Sequence, residues 1–252
     1  MILRGCKNIR RIPDISGFKN LRELCVCECT NLIEIHDSVG SLHKLQVFCA
    51  EGCIKLKIGP RGIKLTYLEY LNLRDCSSLV FFPEILAPMQ KLNYVNLGGT
   101  AIKNLPHSMK NLEGLQILSL ERCKMLESNE PSNFFQTLPE IFHNLKKLSL
   151  KNSNFTVLPE FIEECQSLKC LDVSNCQQLQ EIKALPESTI HLWALNTLVE
   201  VDSLTSNMLL RVGFSSVFYF MISFFELQTH LDMFAGNWFY QVFRNTLLCS
   251  AG

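Results

Sequence analysis

Hydrophobic positions along this chain recur in a fixed phrase. In the stretch LEYLNLRDCSSLVFFP, leucines stand at Leu68, Leu71, Leu73 and Leu79, a cysteine at Cys76 and a proline at Pro83. The template is an apolar residue, then L-x-x-L-x-L with two residues between the first apolar position and the first leucine, then x-x and a small residue. It recurs so that the small anchors fall at Cys6, Cys29, Cys53, Cys76, Thr100, Cys123, Ser153 and Cys176. Successive anchors are separated by 23, 24, 23, 24, 23, 30 and 23 residues. A fixed period of this size means stacked supersecondary units, each unable to bury its apolar face alone.

The phrase predicts its own structure. A pair such as Leu71 and Leu73 has period two, so both side chains point to one face of a short strand. The strand pairs in parallel with the same strand of the next copy, and the leucines fill a continuous core. The anchor then turns the chain out of the strand. Backbone groups in a buried turn need partners, and Cys, Thr or Ser is small enough to be buried there and can hydrogen-bond. Pro13, Pro60 and Pro83 lie seven residues after an anchor, and Pro106 and Pro159 six, where the chain leaves ladder and helix alike. A period of 23–24 leaves little room for a full helix. The expectation is an α/β-type leucine-rich repeat solenoid of about eight repeats over residues 1–200. Its parallel sheet lies on the concave side, and its convex side is irregular or 3-10. Residues 201–252 form a post-repeat tail of undefined fold.

Two places depart from the period. The 30-residue spacing after Cys123 carries LESNEPSNFFQTLPEI, read as an inserted surface loop. After Ile182 the phrase fades, and Leu185, Ile190, Leu192 and Leu195 are read as a closing segment over the last open core. Residues 201–252 hold 11 of the 24 aromatic residues but only two basic and three acidic ones. Within them 212–225 is uncharged over 14 residues, short of the roughly 20 that a bilayer span needs. A buried element, a frame-altered tail and a membrane-associated segment stay open for it. The chain opens inside a repeat, without a signal peptide or capping element, which is expected of the C-terminal piece of a longer protein or of a truncated gene model.

The outward strand positions, between the inward leucines, vary from repeat to repeat. Tyr70, Asn72, Arg74, Tyr94, Asn96, Ser119, Glu121, Lys147, Lys151 and Asp172 are the candidate partner-binding residues, because aromatic and Arg side chains carry much of the energy at protein interfaces. This face is expected to be solvated, so that Asn72→Ala would be nearly neutral. Composition narrows the rest. The 252 residues carry 24 basic and 24 acidic side chains, and no basic stripe suggests nucleic acid. Lys146, Lys147 and Lys151 read as a solvated strand edge. No phosphate loop, nucleophile elbow or zinc-protease motif is present, so no catalytic residue, cofactor or small-molecule substrate is expected. Twelve cysteines are present, six of them anchors, which are expected to be free thiols suited to a reducing compartment. CVCEC (Cys25, Cys27, Cys29) looks like a metal cluster, but no second CxxC or His pair completes four ligands, and no metal is expected.

These residues carry a resemblance. LEYLNLRDCSSLVFFPEI, LNYVNLGGTAIKNLPHSM, LQILSLERCKMLE and LKCLDVSNCQQLQEIKALPESTIHLWA, with cysteine-anchored and threonine-anchored copies interleaved, resemble the leucine-rich repeat region of plant TIR-class nucleotide-binding leucine-rich-repeat immune receptors. The resemblance covers roughly residues 1–200. It implies a cytoplasmic or nucleo-cytoplasmic, non-enzymatic module that senses a pathogen effector or a host protein the effector alters, and that restrains the receptor's nucleotide-binding domain. TIR and nucleotide-binding motifs are not present in this chain. Two alternatives stay open: a cytosolic scaffold binding small GTPases or other signalling proteins, and an extracellular receptor ectodomain. Both classes use Asn rather than Cys anchors, and here Asn154-Phe155-Thr156 is the one glycosylation sequon.

Overall fold

The computed structural model describes residues 1–123, 143–158, 160–180, 182, 185–189 and 191–197. Among the described residues twelve strands run in chain order. They are β1 Arg11–Ile12, β2 Glu23–Cys25, β3 Glu34–Ile35, β4 Val47–Cys49, β5 Gly62–Ile63, β6 Tyr70–Asn72, β7 Glu84–Ile85, β8 Tyr94–Asn96, β9 Ile117–Ser119, β10 Lys147–Ser149, β11 Cys170–Asp172 and β12 His191–Trp193. Eight of them form one parallel sheet in the order β2-β4-β6-β8-β9-β10-β11-β12. The register never slips: Leu24, Phe48, Leu71, Val95, Leu118, Leu148, Leu171 and Leu192 are aligned across all eight strands. A one-residue slip would turn every leucine outward. The second inward position of each copy, from Val26 and Ala50 to Leu150 and Val173, is also buried.

Each anchor sits where the strand pattern ends. The residue before it is left-handed in every copy: Gly5, Glu28, Gly52, Asp75, Gly99, Arg122, Asn152 and Asn175, with φ between 51° and 72°. Its N–H then continues the ladder onto the next repeat, as from Asp75 to the Gly98 carbonyl at 2.7 Å. The anchor side chain reaches back the other way. Cys29 Sγ donates to the Leu3 carbonyl at 2.8 Å, Cys53 to Val26 at 3.0 Å, Cys76 to Ala50 at 3.1 Å, Cys123 to Leu97 at 3.0 Å and Cys176 to Leu150 at 3.3 Å. Thr100 instead donates within its own repeat, to Leu97 at 2.8 Å. Cys6, half-buried, contacts the Arg4 carbonyl of its own repeat at 3.9 Å. All six anchor cysteines are free thiols.

Ser153 is the weak rung. It is 4% exposed, and its Oγ has no hydrogen-bond partner. A buried hydroxyl left unpaired costs roughly 1–3 kcal/mol. The longer C–S bond at Cys29, Cys53, Cys76, Cys123 and Cys176 reaches the neighbouring carbonyl. Ser153→Cys is therefore expected to stabilise the fold by about 1 kcal/mol, read as a higher urea midpoint at unchanged slope. A lower midpoint would show that this turn is too tight for sulfur.

The return leg of each turn is short and mostly irregular, as the period requires. Among the described residues it holds two-stranded parallel pairings (β1 with β3, β5 with β7) and three five-residue 3-10 helices, Asp37–Ser41, His107–Asn111 and Glu160–Glu164. Pro106 is the N-cap of the second of these, with φ −71°. Ser38 and Ser108 stitch these helices to the preceding repeat, each hydroxyl accepting a backbone N–H from Ile15 and Ile85. Among the described residues no helix is long and apolar enough to cross a membrane. The inserted stretch after Cys123, Pro159, Ile190 and the 201–252 tail, including 212–225, lie outside the described residues.

The segment read as closing the last open core packs Leu185 and Leu192 on it, and does so as another strand. β12 pairs in register with β11, Leu192 takes the inward position at 7% exposed, and Asn196 is left-handed before Thr197. Thr197 Oγ1 donates to the Ala194 carbonyl at 2.9 Å, the same bond that Thr100 makes. The phrase survives here as L-x-A-x-N-T. It hides because Thr189 stands where the earlier copies carry a leucine.

Candidate functional site

The outward face of the eight-stranded sheet is where the repeats differ, and its centre is ordered. On β6 and β8 the motif Y-x-N occurs twice in register: Tyr70 with Tyr94, Asn72 with Asn96. The two rings stack with centroids 4.5 Å apart and planes 9° from parallel. Each asparagine amide donates to the hydroxyl of its own strand's tyrosine at 3.1 Å. Each asparagine oxygen accepts the N–H two residues on, from Arg74 at 3.0 Å and from Gly98 at 2.9 Å. Asp172 on β11 repeats that last bond with Ser174 at 2.9 Å. These are Asx turns, and they end each strand at the same height.

Charges frame the stacked tyrosines. Glu51 accepts from the Asn72 amide at 3.1 Å. Arg74 lies 3.6 Å from Asp75 and 3.8 Å from Glu121. Arg122 reaches Asp75 at 2.9 Å, and Ser149 donates to Glu121 at 3.1 Å. Burial raises the pKa of the Tyr70 and Tyr94 phenols. It lowers that of Lys147 and raises that of the Asp172 carboxyl above its ordinary value. A face with buried polar groups and few loose side chains loses little entropy when another protein settles on it.

The expectation of an open, solvated face needs correction. Asn72 is 0% exposed, and Tyr70, Asn96, Ser119, Glu121 and Asp172 are buried too. Only Arg74, Tyr94, Lys147 and Lys151 of the ten sequence candidates are half-exposed. Outward direction alone does not give exposure, because the parallel strands bring long side chains at matching positions against one another. The near-neutral expectation for Asn72→Ala falls with it. Asn72 makes three hydrogen bonds, to Glu51, Tyr70 and Arg74, and removing it strands buried partners. The expected loss is about 1–3 kcal/mol, measurable by urea denaturation; a shift under about 0.5 kcal/mol would mean water replaces the amide.

Sequence reading also missed a sulfur cluster at the other end of the face. Cys25 pairs in register with Cys49, and Cys27 lies two residues further along. The sulfurs of Cys25, Cys27 and Cys49 are all within 4.8 Å of one another. Cys27 and Cys49 are joined as a disulfide, with Cα atoms 6.0 Å apart, and Cys25 Sγ lies 3.4 Å from Cys27 Sγ. The signal was available: Cys49 falls at the same repeat position as Cys25.

With the geometry in place, the chain can be set beside known proteins. No protein-family model matches it. It is 32% identical over 219 residues to disease resistance protein RPP4 of Arabidopsis thaliana, covering 82% of this chain and 18% of that protein. It is 30% identical over 188 residues to Protein SUPPRESSOR OF npr1-1, CONSTITUTIVE 1 of the same plant, covering 69% of this chain and 13% of that protein. To TMV resistance protein N of Nicotiana glutinosa it is 26% identical, covering 73% of this chain and 24% of that one. The chain thus spans between an eighth and a quarter of the length of these relatives. Among solved structures, the leucine-rich repeat domain of the type III effector XopL superposes with a TM-score of 0.54 at 19% identity, covering 83% of this chain and 74% of that one. That likeness shows the leucine-rich repeat fold.

Proposed function

We propose, from the premise that the chain is homologous across its repeats to plant nucleotide-binding leucine-rich-repeat disease resistance proteins, that its sheet face is the protein-recognition surface of an intracellular immune receptor. The observation that carries this reading is the Tyr70–Tyr94 stack, locked by two asparagines and rimmed by Arg74, Asp75, Glu121 and Arg122. A stacked aromatic pair with a charged rim is the make-up of an interface centre. Tyr94 and Arg74 supply the reachable area, and the buried residues beneath hold them still. Lys147 and Lys151 extend the face toward an acidic partner. The partner is a pathogen effector or a host protein that the effector alters, and the same repeats restrain the receptor's nucleotide-binding domain. The module itself is non-catalytic and acts in the cytoplasm.

The test uses a receptor carrying these repeats in leaf tissue. Arg74→Glu with Lys147→Glu is expected to abolish effector-triggered cell death at unchanged protein level, or to cause cell death without effector if restraint runs through this face. Lys57→Glu, on the exposed return leg, is expected to do neither. Wild-type behaviour of the double variant, effector response and quiescence alike, would remove the sheet face from recognition.

A further inference from the structure

We propose that Cys25, Cys27 and Cys49, with the Cys27–Cys49 pair reduced, bind one soft monovalent cation, Cu(I), as three thiolates. Three observations point there. The sulfurs converge within 4.8 Å of one another from two neighbouring strands. Metal–sulfur bonds of about 2.3 Å in a trigonal plane set sulfurs about 4 Å apart, so the fold already holds the ligand atoms at nearly the required spacing. Two of the three residues, Cys27 and Cys49, are each only 6% exposed, while Cys25 is half-exposed and leaves a way in. Finally, among the described residues no His, Asp, Glu or further Cys joins the cluster. Zn(II) takes four ligands in a closed site, whereas three soft thiolates suit Cu(I).

The chemistry balances without outside help beyond a thiol reductant. Two equivalents of a small thiol reduce the Cys27–Cys49 disulfide, giving two cysteine thiols and the oxidised small-thiol disulfide. Cu(I) then displaces three protons, one from each thiol, and three Cu–S bonds form with no change of oxidation state. Five of the six anchor cysteines are not competitors, because each is a single thiol already bonded to a carbonyl of its neighbouring repeat.

The experiment takes the full chain, reduced and kept free of oxygen, and titrates it with Cu(I) held by the chelator bicinchoninate. The expected result is withdrawal of one equivalent of Cu(I) and protection of Cys25, Cys27 and Cys49 from alkylation, located by peptide mass spectrometry, while Cys6 still reacts. Cys25→Ser should retain Cu(I) at least tenfold less well, and Cys170→Ala, on the same face outside the cluster, should retain it fully. If Cys25→Ser does not fold, the alkylation pattern of the wild type decides alone. No withdrawal from the chelator would overturn the proposal. So would a chain that stays two hydrogens light in the presence of the reductant, since the disulfide would then be its lasting state. One tightly held equivalent of Zn(II) in preference to Cu(I) would overturn it too. Failure here leaves the recognition face around Tyr94 untouched, as the two share no residue.

Discussion

Cys76→Arg is expected to destroy the middle of the array, at a cost of about 4 kcal/mol or more. Cys76 is 0% exposed and its thiol donates to the Ala50 carbonyl at 3.1 Å. An arginine there cannot reach water without pushing apart two repeats. Repeat arrays hold together by nearest-neighbour interfaces, so one opened turn uncouples the repeats on either side. A domain with total stability of about 5–15 kcal/mol does not absorb that. Cys76→Thr is the matched control, because Thr100 already serves as a rung through a 2.8 Å bond to its own Leu97 carbonyl; its cost should stay near 1 kcal/mol. Urea denaturation of both variants decides the matter. Equal midpoints would mean that Cys76 does not face the core.

Core and ladder were legible in the sequence for one reason: both are periodic. Every inward strand residue from Leu24 to Leu192 and every anchor from Cys29 to Cys176 is buried as its phase predicts, and the irregular or 3-10 return leg follows from a period too short for a helix. What stayed hidden depends on relations across strands. Nothing in the phrase around Tyr70 says that Tyr94, 24 residues on, will stack against it, or that Asn72 will be fully buried. The Y-x-N recurrence was visible, but only the register turns it into a packed pair. Cys49 meets CVCEC for the same reason: it is remote in the chain and adjacent in the sheet. At the far end, the cue for β12 was weak because Thr189 and Ala194 replace leucines, and the decisive mark, Asn196 before Thr197, is a turn signal rather than an apolar one.

The buried thiols, the rungs together with Cys165 at the apolar position three residues before Leu168, also tie the fold to pH, and above about pH 10 the array is expected to unfold. Desolvation pushes the Cys123 and Cys165 thiols from an ordinary 9.0 up to about 12, and Cys53 up to about 12 as well; Cys76 is also raised, by the same burial. The sign follows from which state holds the proton. Below pH 9 the thiols are neutral whether folded or unfolded, and their burial is fully favourable. Between 9 and about 12 the unfolded chain sheds protons that the folded chain keeps, so folding stability falls as pH rises. Halfway, near pH 10.5, each of Cys123 and Cys165 has withdrawn about 2 kcal/mol, and together they remove a large part of a typical domain's stability. Tyr70 and Tyr94, also raised by burial, pull in the same direction, so a variant must isolate the thiols. Cys123→Thr keeps a rung of the Thr100 kind but has no thiol to titrate, and its alkaline midpoint should lie above that of the wild type. Circular dichroism and thiolate absorbance, followed together from about pH 8 to about pH 12, should show thiolate appearing in step with loss of structure. Thiolate absorbance that rises for most cysteines near pH 9 while the sheet persists would show that the rungs are open to water, and the packing account of the ladder would fail.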